Sequence, residues 1–97
     1  MNTYVVLRRS GWRSPQELHE AAGRSTQAAE EMSNDIRWIR SYVLDEGGGS
    51  VGTVCIYQAT SAEAIRDHAR RGDLPVDEIV PIGDTVVVRS DPGPAAP

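Results

Sequence analysis

The sequence predicts an α+β domain of the ferredoxin-like type, in which a four-stranded antiparallel sheet carries both helices on one face. Three observations lead to this fold. The chain has 97 residues, which is the size of a single domain. Its apolar patterns follow the order β-α-β-β-α-β, and right-handed crossovers would place the first and third strands in the centre of the sheet. The strands are apolar on both faces, which indicates that both faces are covered.

The first half of the chain predicts a strand, a helix and a second strand. Residues 3–9 are β-branched and apolar, as in a strand. Ser14 is a helix cap, because a proline follows it and Glu17 completes a capping box. The helix ends near residues 34–35, and residues 36–44 predict the second strand. The apolar stripe of the helix consists of Leu18, Ala21, Ala22, Ala28, Ala29 and Met32.

The second half predicts a hairpin connection, a third strand and a second helix. Three consecutive glycines at 47–49 are typical of a flexible connection between antiparallel strands. Residues 51–59 predict the third strand. Residues 60–63 are a second capping signal, and the helix that follows ends near Arg71, with Gly72 as its stop.

The last strand and the tail differ sharply in composition. Residues 79–89 predict the fourth strand, interrupted near residues 81–83. Residues 90–97 contain three prolines, a glycine and small side chains, and such a segment buries too little apolar surface to fold. We therefore expect one domain over residues 1–89 and a disordered tail over residues 90–97.

The two-faced strands predict a homodimer. In the second strand one face carries Ile36, Trp38, Tyr42 and Leu44, and the other carries Ile39 and Val43. In the third strand we assign Val54 and Ile56 to the side of the helices, which leaves Cys55 and Tyr57 for the open side. A second copy of the chain is the simplest cover for an open apolar face.

Charge and cysteine content exclude several classes of partner. A net charge of −4 argues against a nucleic-acid backbone as the main partner. No apolar run approaches the ~20 residues that span a bilayer, and the N-terminus lacks the features of a signal peptide. The single cysteine, Cys55, excludes an intrachain disulfide and fits a reducing compartment. We therefore expect a cytoplasmic protein that binds neither nucleic acid nor membranes.

Four segments resemble a family of small bacterial proteins that includes a nickel-binding, nickel-responsive member. They are WIRSYV at 38–43, VCIYQA at 54–59, AIRDHA at 64–69 and GDLPVDEI at 72–79. The resemblance covers residues 3–88 and implies a ferredoxin-like homodimer. It also implies a transition-metal site, because the nickel-binding branch carries a histidine near the end of strand one, the strand-three cysteine and two histidines around the end of the second helix.

The metal residues that the resemblance implies are only partly present in this chain. Cys55 and His68 match the cysteine and one helix histidine. The strand-one histidine falls at about Arg9, which cannot bind a cation, and the second helix histidine falls at Asp73, an oxygen donor. The implied donors for nickel or another divalent transition metal are therefore Cys55, His68 and Asp73, in a reduced or lost site.

Several residues allow a structural and a functional interpretation. Cys55 is either a small apolar residue inside the sheet or a metal ligand or reactive thiol. His68 either caps the end of the second helix at the surface or acts as a ligand or acid-base group. All ten Lys/Arg positions are arginine, which fits either a coding bias or an arginine-based anion site. The aromatic residues Trp12, Trp38, Tyr42 and Tyr57 either pack in the core and a dimer interface or form the wall of a small-molecule cavity.

Two functions follow from these observations. The first is a small soluble binding protein, similar to the nickel-responsive family, with no catalysis expected. The alternative is a cofactor-free enzyme of the dimeric α+β barrel type, such as a monooxygenase or isomerase, which rests on analogy of fold alone. The alternative requires an enclosed pocket between helices and sheet with His68 or Tyr57 pointing into it.

Overall fold

Four strands and two helices follow one another in the predicted order. The computed structural model describes residues 1–93. Its elements are β1 (Asn2–Trp12), α1 (Pro15–Glu31), β2 (Ile36–Gly47), β3 (Ser50–Ala59), α2 (Ala62–Gly72) and β4 (Glu78–Pro81). All strand pairs are antiparallel and the sheet order is β2-β3-β1-β4, so β1 and β3 are central. The predicted fold class is confirmed.

Both helices begin at the predicted caps. The Ser14 hydroxyl accepts a hydrogen bond from the Glu17 N–H at 3.2 Å, and the Glu17 carboxylate accepts one from the Arg13 N–H at 3.3 Å. The Ser61 hydroxyl accepts from the Ala64 N–H at 3.1 Å. These contacts satisfy backbone donors that a helix leaves without partners in its first turn. Neither helix in residues 1–93 is long and apolar enough to cross a membrane.

The ends of the helices differ slightly from the prediction. Helix α1 ends at Glu31 rather than near residues 34–35. Helix α2 includes Gly72, and the left-handed capping conformation falls on Asp73, with a φ of 52°. Gly72 is buried, and a β carbon there would lie 3.1 Å from the Leu74 side chain. Gly72 is therefore required for close packing rather than for the left-handed turn.

Strand β4 is much shorter than the predicted segment 79–89. It ends at Pro81, and the Ile82 N–H makes the last bond to β1, to the Thr3 carbonyl at 2.8 Å. Asn2 is the next residue of β1 along this edge, and within residues 1–93 no strand pairing continues to it from β4. The chain from residue 82 to residue 93 lies outside helices and strands.

Asp91 of the tail segment makes two polar contacts with the sheet. Of the predicted disordered tail, residues 94–97 lie outside the described residues. Asp91 accepts a hydrogen bond from the Tyr42 hydroxyl and forms an ion pair with Arg40. The division into a domain over residues 1–89 and a tail stays a prediction.

A bulge in β2 changes which side chains face the helices. The β2–β3 register shifts between Trp38 and Arg40, so Ile39 is an additional residue. Ile36 and Trp38 pack into the core, but after the bulge Ser41 and Val43 lie on the helix side. The prediction that Ile36, Trp38, Tyr42 and Leu44 share one face is wrong, because strict alternation does not hold across a bulge.

The predicted faces of β3 are also wrong. Cys55 and Tyr57 pack in the core with Ile65 of α2, so they face the helices. Val54 and Ile56 lie on the open face of the sheet. The error has a simple cause, because both faces of β3 are apolar and alternation alone does not say which one meets the helices.

The helix-facing core consists of two separate clusters. The larger contains Tyr4, Val6, Met32, Ile36, Cys55, Tyr57, Ala59 and Ile65. The smaller contains Trp12, Ala21 and Val51, with Leu18 and Leu74 packed against it. Arg8 follows Val6 on the same face of β1 and precedes Trp12, so a charged residue occupies the position between the two clusters.

Gly52 is required where β3 passes the irregular part of β1. The β1–β3 register shifts between Arg8 and Trp12, and Ser10 has a φ of 46°. A β carbon on Gly52 would overlap the Arg8 carbonyl oxygen and lie 2.9 Å from the Ser10 nitrogen. Because these are backbone atoms, neither can move without disturbing the sheet.

We expect Gly52→Ala to destabilise the protein by about 2 kcal/mol or more, since overpacking against backbone costs at least this much. For a domain of this size, thermal melting should shift downwards by roughly 10 °C. Gly83→Ala is the matched control, because a β carbon there has no neighbour within 4 Å. Equal melting temperatures for the two variants would contradict the proposed role of Gly52.

Candidate functional site

A cavity of about 290 Å³ lies between helix α1 and the sheet. We name it the α1 pocket. Its apolar walls are Trp12, Leu18, Ala21, Ala22, Trp38, Val43 and Leu74. Exposed His19 on α1 and Val43 on β2, the latter 60% exposed, lie at its mouth. The pocket lies between the two core clusters and takes wall residues from both.

The floor of the α1 pocket carries a buried cation. Arg8 is only 2% exposed. Its Nε, Nη1 and Nη2 atoms have no hydrogen-bond partner among residues 1–93. The guanidinium carbon lies 5.8 Å from the centre of the Tyr57 ring, within the range of a cation–π contact. Buried guanidinium groups are normally paired, so this one is unusual.

A chain of hydrogen bonds crosses the floor from β2 to β3. The Trp38 indole N–H donates to the Ser41 hydroxyl at 2.7 Å, and this hydroxyl donates to the Cys55 thiol at 2.9 Å. The thiol donates to the Thr53 hydroxyl at 3.4 Å. Each group in the chain thus donates its proton to the next one. The Thr53 hydroxyl is the last acceptor, so its own proton remains available to a further acceptor.

His68 lies behind the pocket and is 0% exposed. Its Nε2 atom is 3.0 Å from the Ser25 carbonyl oxygen and 3.4 Å from the Ser25 hydroxyl. Because a carbonyl only accepts, Nε2 carries the proton, and the Nδ1 lone pair has no partner within residues 1–93. Burial lowers the pKa of His68, the Ser25 carbonyl raises it in part, and the Arg8 charge lowers it.

Tyr57 lies next to both Arg8 and His68. Its ring centre is 5.5 Å from that of His68. Burial raises the pKa of the Tyr57 hydroxyl, and the nearby Arg8 charge counteracts this only in part. Tyr57 and His68 are therefore both uncharged at neutral pH.

The structure separates the three residues assigned to the metal. Cys55 and His68 are both buried beside Tyr57, on β3 and α2 respectively. The prediction of a surface capping role for His68 is wrong, because Ile65, His68 and Ala69 share the face of α2 that packs on the sheet. Asp73 is exposed at the end of that helix. Within residues 1–93 no three His, Cys, Asp or Glu side chains come together as a metal site would require.

The environment of Cys55 does not suit a metal cation. Its thiol already takes part in hydrogen bonds with Ser41 and Thr53. The cation on this side of β1 is Arg8, whereas Arg9, at the position of the strand-one histidine, is exposed and forms a bidentate pair with Glu46 at 2.7 and 3.0 Å. The pair lowers the pKa of Glu46. The residues present therefore do not fit a nickel site in this arrangement, and the metal assignment stays a prediction.

Comparison with known proteins identifies the family. A family profile described as nickel responsive protein SCO4226-like matches residues 4–82. The chain belongs to the SCO4226-like family. The crystal structure of SCO4226 from Streptomyces coelicolor A3(2) is similar in fold, with a TM-score of 0.68, 20% sequence identity, and coverage of 87% of this chain and 99% of that chain. No curated protein matches the chain significantly. The resemblance noted in the sequence is thus confirmed.

Sequence reasoning anticipated three of the pocket residues and missed others. Trp12, Trp38 and Tyr57 were candidates for a cavity wall, whereas Tyr42 lies on the open face. Arg8 and Ser25 were not predicted. Alternation from Tyr4 and Val6 would have placed Arg8 on the buried face, and the helical spacing of Leu18, Ala21 and Ala28 would have placed Ser25 between them.

The buried His68 predicts a specific pH dependence of stability. In the unfolded chain its pKa has the ordinary value of about 6.5, and in the folded protein the value is lower. Between the two values the unfolded state binds more protons, so the free energy of unfolding falls as the pH drops below about 6.5. We expect a slope of up to ~1.4 kcal/mol per pH unit in urea denaturation, reduced in His68→Gln.

The protonation state of His68 also has an independent spectroscopic readout. The neutral form of His68, protonated on Nε2, should predominate at pH 6.5, with a His19→Gln variant used to assign the imidazole signals. A His68 ring that is mainly imidazolium at pH 6.5, or an unchanged slope in His68→Gln, would contradict the lowered pKa.

Proposed function

We propose that the chain is a small ligand-binding protein of the SCO4226-like family that holds an organic molecule in the α1 pocket and has a reduced or lost transition-metal site. The observation that carries this proposal is the α1 pocket itself, about 290 Å³ with apolar walls and a polar floor. Binding pockets for small molecules combine these two features. Engineered apolar cavities of about 150 Å³ already bind benzene, so this volume suits a molecule of one or two rings.

The reduced metal site is supported by the positions of the donors. If an ion binds, Cys55 and His68 supply the side-chain donors and Asp73 is an oxygen ligand, with water or a partner chain completing the shell. His68 already uses Nε2 for the Ser25 carbonyl, and the Arg8 charge lies on the same face of the sheet as Cys55. Both features oppose the binding of a cation.

A homodimer through the open face of the sheet is part of the proposal. This open face carries the apolar side chains Val5, Leu7, Tyr42, Val54, Ile56 and Val80. Tyr42 is 45% and Val80 is 39% exposed, which is high for an apolar sheet face. Residues 86–88, which lie outside the strands, are three valines that are each more than three-quarters exposed, and they extend the proposed interface. A second copy of the chain would cover both regions at once.

The proposed location is the reducing cytoplasm. It is supported by a single free cysteine, which is buried in the core. A thiol inside this hydrogen-bonded chain contributes to packing only while it is reduced.

A second candidate function is a cofactor-free enzyme of the dimeric α+β barrel type. The observation that favours it is the presence of Tyr57 in the wall of a pocket between α1 and the sheet, although this pocket is open at its mouth rather than enclosed. His68 lies one layer behind. Conversion of a bound compound over time, lost in Tyr57→Phe while binding is retained, would favour the enzyme over the binding protein.

The pocket is tested with an uncharged aromatic probe, 2-naphthamide, followed by amide chemical shifts. We expect the largest shifts at residues of the α1 pocket and no binding to Ala22→Phe, because the new ring would fill the space. Gln27→Phe, an exposed position on the same helix, is the control and should bind normally. Binding that is unaffected by Ala22→Phe would place the ligand elsewhere.

The reduced metal site is tested by calorimetric titration with nickel at pH 7.5. We expect at most a weak isotherm, and we expect Cys55→Ser and His68→Ala each to remove it. Tight binding that both substitutions abolish would show an intact metal site. Tight binding that survives both would show that other residues hold the ion.

The homodimer is tested by light scattering after size exclusion at micromolar concentration. We expect a mass twice that of one chain, and a single-chain mass for Ile56→Asp, since a buried unpaired carboxylate costs several kcal/mol. Gln27→Asp introduces the same charge on the outer face of α1 and should leave the dimer intact. A monomeric wild-type protein would contradict this part of the proposal.

A further inference from the structure

We infer that the α1 pocket selects a small apolar carboxylic acid, with its carboxylate held by the Arg8 guanidinium and the Thr53 hydroxyl. This inference rests on the proposed function, because it names the class of molecule that the pocket takes. It starts from a charge that has no counter-ion in residues 1–93.

The buried guanidinium has no negatively charged partner among the described residues around it. Arg8 is 2% exposed, and the residues that line the pocket include no aspartate or glutamate. The contact with the Tyr57 ring contributes up to about 2 kcal/mol, whereas withdrawing a cation from water costs several kcal/mol. An anion that paired with Arg8 would remove this deficit, and the surrounding low dielectric would strengthen the pair.

The anion carries a single negative charge. Among residues 1–93 Arg8 is the only charged group on the pocket floor, since Tyr57 there and His68 behind it are neutral for the reasons given above. A phosphate dianion would leave one negative charge buried without a partner. A carboxylate matches the guanidinium in charge and in planar, two-pronged geometry.

A second donor stands beside the guanidinium. Thr53 is the cross-strand partner of Arg8 in the β1–β3 register, and both side chains face the helices. Thr53 accepts from the Cys55 thiol at 3.4 Å, so its own proton is available to an anion. The hydrogen-bond chain from Trp38 thereby presents a donor next to the cation.

The rest of the pocket is apolar. Trp12, Leu18, Trp38 and Leu74 line the space above the polar floor. A ligand with its carboxylate on Arg8 would therefore place a ring or a short hydrocarbon chain among these side chains. Burial of that apolar part supplies affinity, and the ion pair supplies selectivity for acids.

The experiment compares isosteric acid and amide pairs: acetate with acetamide, benzoate with benzamide, and 2-naphthoate with 2-naphthamide. Binding is followed by amide chemical shifts and by the fluorescence of the two pocket tryptophans. We expect each aromatic acid to bind at least about tenfold more tightly than its amide, as a charge-assisted hydrogen bond allows. Inorganic phosphate should bind more weakly than benzoate.

Arg8→Met is the test variant, and Arg9→Met is the matched control. Arg8→Met keeps the length of the side chain and removes the charge, so the acid and the amide should bind equally. Arg9 is the neighbouring arginine, exposed and paired with Glu46, and its substitution should leave the preference for the acid intact.

The outcomes separate this inference from the proposed function. Equal binding of acid and amide to the wild-type protein would overturn the preference for an anion and leave the pocket function standing. Absence of binding by every pair would overturn both. Tighter binding of phosphate than of benzoate would overturn the carboxylic acid as the ligand class and indicate an inorganic anion instead.

A second readout does not depend on the choice of probe. Because the guanidinium is buried without a partner, Arg8→Met should leave the melting temperature of the ligand-free protein unchanged or raise it. A fall of more than about 5 °C, roughly 1 kcal/mol for a domain of this size, would show that Arg8 stabilises the fold and would overturn the inference.

Discussion

The buried guanidinium of Arg8 is the constraint on which the rest of the molecule depends. It takes a position on the helix-facing side of β1 where the fold would otherwise have a large apolar side chain. The apolar residues on either side form two clusters, and the α1 pocket lies between them. Tyr57 and His68 are neutral because both are buried; the Arg8 charge adds to this for His68 and opposes it in part for Tyr57.

The sequence alone predicts the order of the helices and strands well, but it predicts poorly which face of each strand is buried. Caps such as Ser14 and Ser61 act within one helical turn, so local residues determine them. The facing of β2 beyond Trp38 depends on the bulge at Ile39, a tertiary feature that the apolar alternation does not reveal, and the facing of β3 is ambiguous because both of its faces are apolar. The length of β4 depends on its pairing with β1, a strand far away in sequence.

The candidate site could be predicted from the sequence only in part, because it also depends on tertiary packing. His68 was interpreted as a surface residue because a histidine near a helix end usually is one, whereas the structure buries it against Ser25 and Tyr57. Arg8 was not predicted as a site residue because an arginine within a strand is normally assigned to the exposed face. Membership of the SCO4226-like family agrees with the fold, but a fold accommodates ligands of either charge, and the side chains decide between them.

Strand β2 is one of the two outer strands of the sheet, and along its twelve residues the edge that faces away from β3 pairs with no other strand in residues 1–93. A long apolar edge of this kind invites aggregation, because any extended chain can add to it. The bulge at Ile39 interrupts the regular row of backbone donors and acceptors, and Arg37 and Arg40 place charges on either side of it. The bulge that reverses the faces of β2 therefore also protects the edge against aggregation. A chain without Ile39 would have a regular, flat edge to which another strand could add.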